Sequence, residues 1–211
     1  MLINLWLMIT VMELFNPTTQ KILTTILRQI AGAPTIALLS ELCKMSHVGV
    51  WKAVKRLETE NFIILKKIGT KKNSPYIIYL NWSNHLVEKT LVLALEYEAM
   101  QHVRWMKSFS ELQKEVDFLI LYGSILHFSK EANDIDVLGV VSQKGGYTRI
   151  DTIVSKIQIS QLKKIHVVNF SPKELKVELN RPNKAFLDAF NKGVVLFGQD
   201  TFVQFIKELP R

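Results

Sequence analysis

Three spacings of hydrophobic positions divide the chain. From Pro17 onward, Ile22, Leu23, Ile26, Leu27 and Ile30 recur at i, i+1, i+4, i+5 and i+8, one face of a helix, until Gly32-Ala33-Pro34 breaks it. A second short helix is predicted over about 35–44, burying Ile36, Leu39 and Leu42. A third follows Ser46, a good N-cap, with Val50, Val54 and Leu57 at i, i+4 and i+7 facing the core. Asn61 stands where that helix must stop, and asparagine tolerates the left-handed cap conformation. Two strand-like runs follow, over 62–68 and 76–80, joined by the basic turn "GTKKNSP".

Residues 82 to about 115 contain neither Gly nor Pro and read as one helix, with Leu86, Leu91, Leu95, Met100, Val103 and Met106 at helical spacing. Its apolar excess favours a partner surface, so a homodimer through residues 82–111 is an expectation. Beyond it the pattern is that of strands. An apolar run over 118–122 stops at Gly123-Ser124, a mostly polar segment follows, and a second apolar run carries Asp134 and Asp136 on either side of Ile135. A further strand is expected in "KKIHVVNF", residues 163–170.

With 211 residues, 48% of them hydrophobic and 22% charged, the chain has ordinary globular composition and room for one large domain or two small ones. Its single cysteine, Cys43, excludes a disulfide framework within the chain, so a reducing, cytoplasmic setting is expected. The net charge of +8 is uneven: residues 1–81 hold +6 of it and residues 82–211 only +2. A basic first part points to a nucleic-acid partner. The opening "MLINLWLMITVMELF" is apolar, but it lacks a basic start and is shorter than the roughly 20 residues that span a bilayer, so no membrane role is expected. "MELFNPTTQKIL" would be a natural beginning.

The paired aspartates carry the most chemistry. Residues i and i+2 of a strand point to one face, so Asp134 and Asp136 project side by side. Two carboxylates so placed repel each other, and burial aggravates this. A divalent cation between them relieves the repulsion, and Mg²⁺ is commonly held by one or two carboxylates together with substrate phosphates. Gly123 lets the backbone approach a ligand, and Ser124 offers a hydroxyl and an N–H. A helix starting there would attract phosphate to its N-terminus. A phosphate anchor beside paired metal ligands describes a nucleoside triphosphate site.

"LYGSILHFSKEANDIDVLGVV", with nine residues between Ser124 and Asp134, resembles the strand, Gly-Ser, helix and Asp-x-Asp signature of the DNA polymerase beta-like nucleotidyltransferase superfamily. The resemblance covers about residues 112–200, the size of its minimal members, and "FNKGVVLFGQDTF" is similar to their closing helix and strand. It implies that Gly123 and Ser124 hold the triphosphate and that Asp134 and Asp136 hold Mg²⁺ (or Mn²⁺). It also implies a third carboxylate on a later strand, helping to activate the attacking hydroxyl. That place is taken by His166, with Asp151 and Glu174 as substitutes if the register differs. Histidine can bind a metal or act as a base near neutral pH, but it is a poor ligand for Mg²⁺.

Helix, helix, helix and basic hairpin over residues 16–81 resemble the winged helix-turn-helix domain. This implies that the third helix, carrying His47, Trp51, Lys52, Lys55 and Arg56, enters the major groove of double-stranded DNA, with Lys71 and Lys72 of the wing near a phosphate or the minor groove. The expected fold is thus α+β: a winged helix over 16–81, a linker helix over 82–111, and over 112–211 a nucleotidyltransferase domain with a mixed sheet flanked by helices. Three functions remain open. One is an enzyme passing a nucleoside monophosphate from a triphosphate to an unknown hydroxyl. The others are a DNA-binding transcriptional regulator that senses nucleotide, and an antitoxin-like partner of another protein.

Overall fold

Asn16 and Pro17 open the first described helix of the structure, a computed structural model that describes residues 16–30, 32–71, 74–143, 145–179, 187 and 190–209. The fold mixes helices with a small antiparallel sheet and a mixed four-stranded sheet. The chain divides into two compact units between Ala94 and Leu95, so residues 82–94 group with the first unit and 95–111 with the second. The N-terminal apolar segment, residues 1–15, lies outside the described residues. Among those described, no helix is long and apolar enough to cross a membrane.

In the first unit, α1 (Pro17–Arg28), α2 (Ile36–Leu42) and α3 (His47–Thr59) precede the hairpin β1 (Ile63–Lys67) and β2 (Tyr76–Leu80). Each helix starts on a side-chain cap: Asn16 accepts from the Thr18 N–H, Thr35 from Leu38 and Ser46 from Gly49. α3 ends as its sequence suggests. Asn61 adopts φ +60°, and the Phe62 N–H reaches back to the Leu57 carbonyl at 2.8 Å, satisfying a helix-end acceptor. Val50, Val54 and Leu57 are fully buried with Ile22, Leu23, Ile26 and Leu27. Truncating any of the leucines or isoleucines among these to alanine would cost about 2–5 kcal/mol. The expectation for Leu42 is corrected: it is 42% exposed, and Cys43, where the helix turns, takes the interior place.

The single helix expected over 82–115 is also corrected. α4 (His85–Met100) stops at a turn through Gln101-His102, α5 (Val103–Ser108) follows, and Ser110–Lys114 form a 3₁₀ turn. The core explains the break. On an unbroken helix, at 100° per residue, Ala99 would point roughly 80–140° away from Trp105, Phe109 and Leu112. The turn brings all four into one buried cluster. Leu86, Met100 and Val103, expected on the packed face, are more than half exposed.

The sheet of the second unit runs β5 (Lys164–Phe170), β4 (Asp134–Val140), β3 (Phe118–Tyr122) and β6 (Val194–Phe197). β3 is antiparallel to β4 and β6, whereas β4 and β5 are parallel and joined through α6 (Gly146–Ile159). α7 (Pro172–Leu179) and α8 (Gln199–Lys207) also belong to the unit. Alternation sorts the strands. Ile135, Val137 and Ile165 turn to one face and pack with Trp105, Phe109, Ile150 and Ile157. On the other face Phe118 meets Phe202 edge-on at 5.4 Å, with Phe205 at 5.6 Å. Asp134 and Asp136 share that second face with buried Leu138 and Val140, at the end of the strand where the packing runs out.

Candidate functional site

Register brings the candidate residues of the second unit together. Asp136 lies opposite Tyr122 across the β3–β4 ladder and opposite His166 across the β4–β5 ladder, while Asp134 is opposite Lys164. Cross-strand partners share a face, so the two carboxylates and the imidazole converge. His166 Nδ1 is 3.5 Å from Asp134 Oδ2 and 3.5 Å from Asp136 Oδ1. Ligand atoms of the three residues lie within 4.8 Å of one another, a group that can hold a metal ion. The Asp136 side chain is 25% exposed and that of Asp134 36%, which leaves one side open to a ligand.

Electrostatics at the site match that geometry. Burial holds the Asp136 carboxyl above its usual range, the negative charge of Asp134 adds to this, and His166 partly offsets both. The phenol of Tyr122 is likewise raised, first by burial and then by the two aspartates. Strand alternation from Phe118 places Tyr122 on the carboxylate face, a position that its apolar run in the sequence does not single out.

Gly123 is tied to the aspartates by contact as well as by order. Its backbone adopts φ +85°, ψ −167°, a region that side-chain-bearing residues rarely enter. A Cβ at this position would also lie 2.5 Å from Asp136 Oδ2. The Asp136 carboxylate therefore rests in space that only glycine leaves free. Ser124 is exposed beside it. The helix expected after Gly-Ser is corrected to one 3₁₀ turn, Ser124–Leu126. Ile125 and Ala132 are buried, and the intervening segment folds as turns closed by Phe128 N–H to Ser124 O at 2.8 Å and Ala132 N–H to Phe128 O at 2.8 Å. So short a turn supplies no helix dipole for phosphate.

Neither substitute carboxylate joins the cluster. Glu174 has a structural partner set: it accepts from the Ser171 N–H at 2.7 Å, while Ser171 Oγ accepts from the Glu174 N–H at 3.3 Å, the reciprocal capping box of α7. It also accepts from the Tyr147 hydroxyl at 3.0 Å, and these hydrogen bonds hold its pKa low. Asp151 is exposed on α6. Among the described residues, Asp134, Asp136 and His166 form the one such ligand group.

In the first unit, His47, Lys52, Lys55 and Lys71 are exposed and Arg56 is half-buried, while Lys72 lies outside the described residues. Trp51 packs against Tyr76 of the hairpin at 5.8 Å, with the Lys55 ammonium 5.7 Å over its ring. Lys55 also pairs with Glu58, so part of its charge is spent within the helix. At helical spacing, Val48, Lys52, Lys55 and Thr59 line one exposed stripe. The chain matches no family model, no curated protein and no solved structure.

Proposed function

We propose that the second unit is a nucleotidyltransferase-type domain that binds a nucleoside triphosphate with a divalent cation, and that the first is a winged helix that binds double-stranded DNA. The observation that carries the reading of the second unit is the convergence of Asp134, Asp136 and His166 beside Gly123. The donor set of two carboxylates and one imidazole fits a divalent cation, whose charge would offset the burial and the Asp134 repulsion that together raise Asp136. A cation held there would supply charge neutralisation for the phosphates.

The residues divide the work. Asp134 and Asp136 ligate the cation, His166 adds the third ligand, and the Ser124 hydroxyl and N–H meet a phosphate oxygen. In the transfer, an acceptor hydroxyl oxygen bonds to the α-phosphorus. The bond from that phosphorus to the bridging oxygen breaks, and pyrophosphate leaves with that electron pair. The hydroxyl proton passes to a base.

His166 favours a second function, a DNA-binding regulator that senses nucleotide without turning it over, because two-metal transfer uses a carboxylate at this position. Incubating the protein with labelled nucleoside triphosphates and Mg²⁺ or Mn²⁺ separates the two. Label transfer with pyrophosphate release marks the enzyme, and binding without either marks the sensor. The exposed stripe Val48, Lys52, Lys55 and Thr59 supports entry of α3 into the major groove.

A further inference from the structure

Resting on the metal site proposed above, we infer that His166 makes it selective for a first-row transition-metal ion, with Zn²⁺ and Mn²⁺ both preferred to Mg²⁺. Three observations lead there. First, the backbone that carries the imidazole is fixed. His166 sits within β5, whose parallel ladder with β4 runs from Asp134↔Lys164 to Val140↔Phe170, so its Cα stays opposite Asp136. Second, the same nitrogen, Nδ1, faces both carboxylates at an equal 3.5 Å, the position of a shared third ligand. Third, neither Asp151 nor Glu174 joins the ligand group, and Glu174 is held in its capping box.

The chemistry of the ions follows. Mg²⁺ takes oxygen ligands in a near-ideal octahedron and gives up water reluctantly. An imidazole in place of a carboxylate removes one hard oxygen ligand and one negative charge, and both changes weaken Mg²⁺. Imidazole suits Zn²⁺ and its neighbours, and affinity for a mixed nitrogen and oxygen site rises from Mn²⁺ towards Zn²⁺. Three protein ligands on a four-coordinate ion leave one position open for a phosphate oxygen. Mn²⁺ is the ion of this set that also suits carboxylate and water oxygens.

Equilibrium dialysis of the full chain against Mg²⁺, Mn²⁺ and Zn²⁺ chlorides, without nucleotide, tests this. Zn²⁺ should bind tightest, Mn²⁺ next, and Mg²⁺ at least about tenfold more weakly than Mn²⁺. His166→Asp should narrow the Mn²⁺ to Mg²⁺ ratio by about tenfold or more, by raising Mg²⁺ affinity. The electron paramagnetic resonance signal of bound Mn²⁺ should carry a nitrogen coupling that His166→Asp removes. Equal affinity of wild-type protein for Mg²⁺ and Mn²⁺, or the absence of nitrogen coupling, overturns the selectivity and leaves the metal site standing. Binding of all three ions unchanged in both Asp134→Asn and Asp136→Asn overturns the metal site itself, and the selectivity with it.

Discussion

Replacing Gly123 with alanine strains the protein in two separable ways. The first is torsional: φ +85°, ψ −167° is close to glycine-only territory, and holding a side-chain-bearing residue there costs about 1–3 kcal/mol. The second is steric: the new Cβ would lie 2.5 Å from Asp136 Oδ2. Forcing an atom into a packed site costs about 1–3 kcal/mol, but this carboxylate is partly exposed and can turn aside. Torsion should therefore dominate, for a total of about 2–3 kcal/mol. Asp136→Ala removes the clash and leaves the torsion, so a double-mutant cycle divides them, with a coupling of about 1 kcal/mol or less. Hydrogen exchange of β3 and β4 amides in the full, metal-free chain reads the stability of this unit without assuming that both units unfold together. Because the carboxylate must turn aside to admit the Cβ, Gly123→Ala should also lose most of its Mn²⁺ affinity. A loss of stability under about 0.5 kcal/mol with metal affinity intact would refute the packing of Asp136 against Gly123.

Asp136→Asn should make the metal-free protein more stable at neutral pH. A carboxyl whose folded pKa is raised favours folding below its ordinary value of 3.8 and loses that contribution as pH rises through the folded pKa. The gap between variant and wild type should therefore close as pH falls from neutral towards 3.8, as read by urea unfolding at several pH values; a gap that widens on acidification would contradict the sign. Glu174→Ala should cost about 0.5–2 kcal/mol through the lost cap of α7 and leave metal affinity unchanged, which dialysis checks. Duplex DNA binding should weaken steeply with salt, and neutralising Lys52, Lys71 and Lys72 together should flatten the log–log slope by about 0.9 per lost phosphate contact. Lys55→Ala should change that slope less, because Glu58 already pairs with Lys55.

Local rules carried much of the first unit. Capping at Ser46, the stop at Asn61 and the inward face of Val50, Val54 and Leu57 are each set by residues within one or two turns. Period-two alternation likewise placed Asp134, Asp136 and His166 on one face, because a ladder transmits that parity from strand to strand. The break at Gln101-His102 was not legible. No residue there disfavours helix, and the turn answers to the distant requirement that Ala99 and Trp105 enter the same core. Nor was the brevity of the turn after Ser124, which is fixed by burial of Ile125 and Ala132 on either side of a polar segment. The contact between Gly123 and Asp136 depends on three-dimensional register, which sequence spacing does not supply.

Metal-dependent nucleotide binding tests the proposed function most directly. Filter binding of labelled nucleoside triphosphates to the full chain should show retention with Mn²⁺. The signal should vanish on chelation and be lost in both Asp134→Asn and Asp136→Asn. Retention that survives chelation and both substitutions, or no retention with any divalent ion, would contradict a nucleotide and metal site at these aspartates.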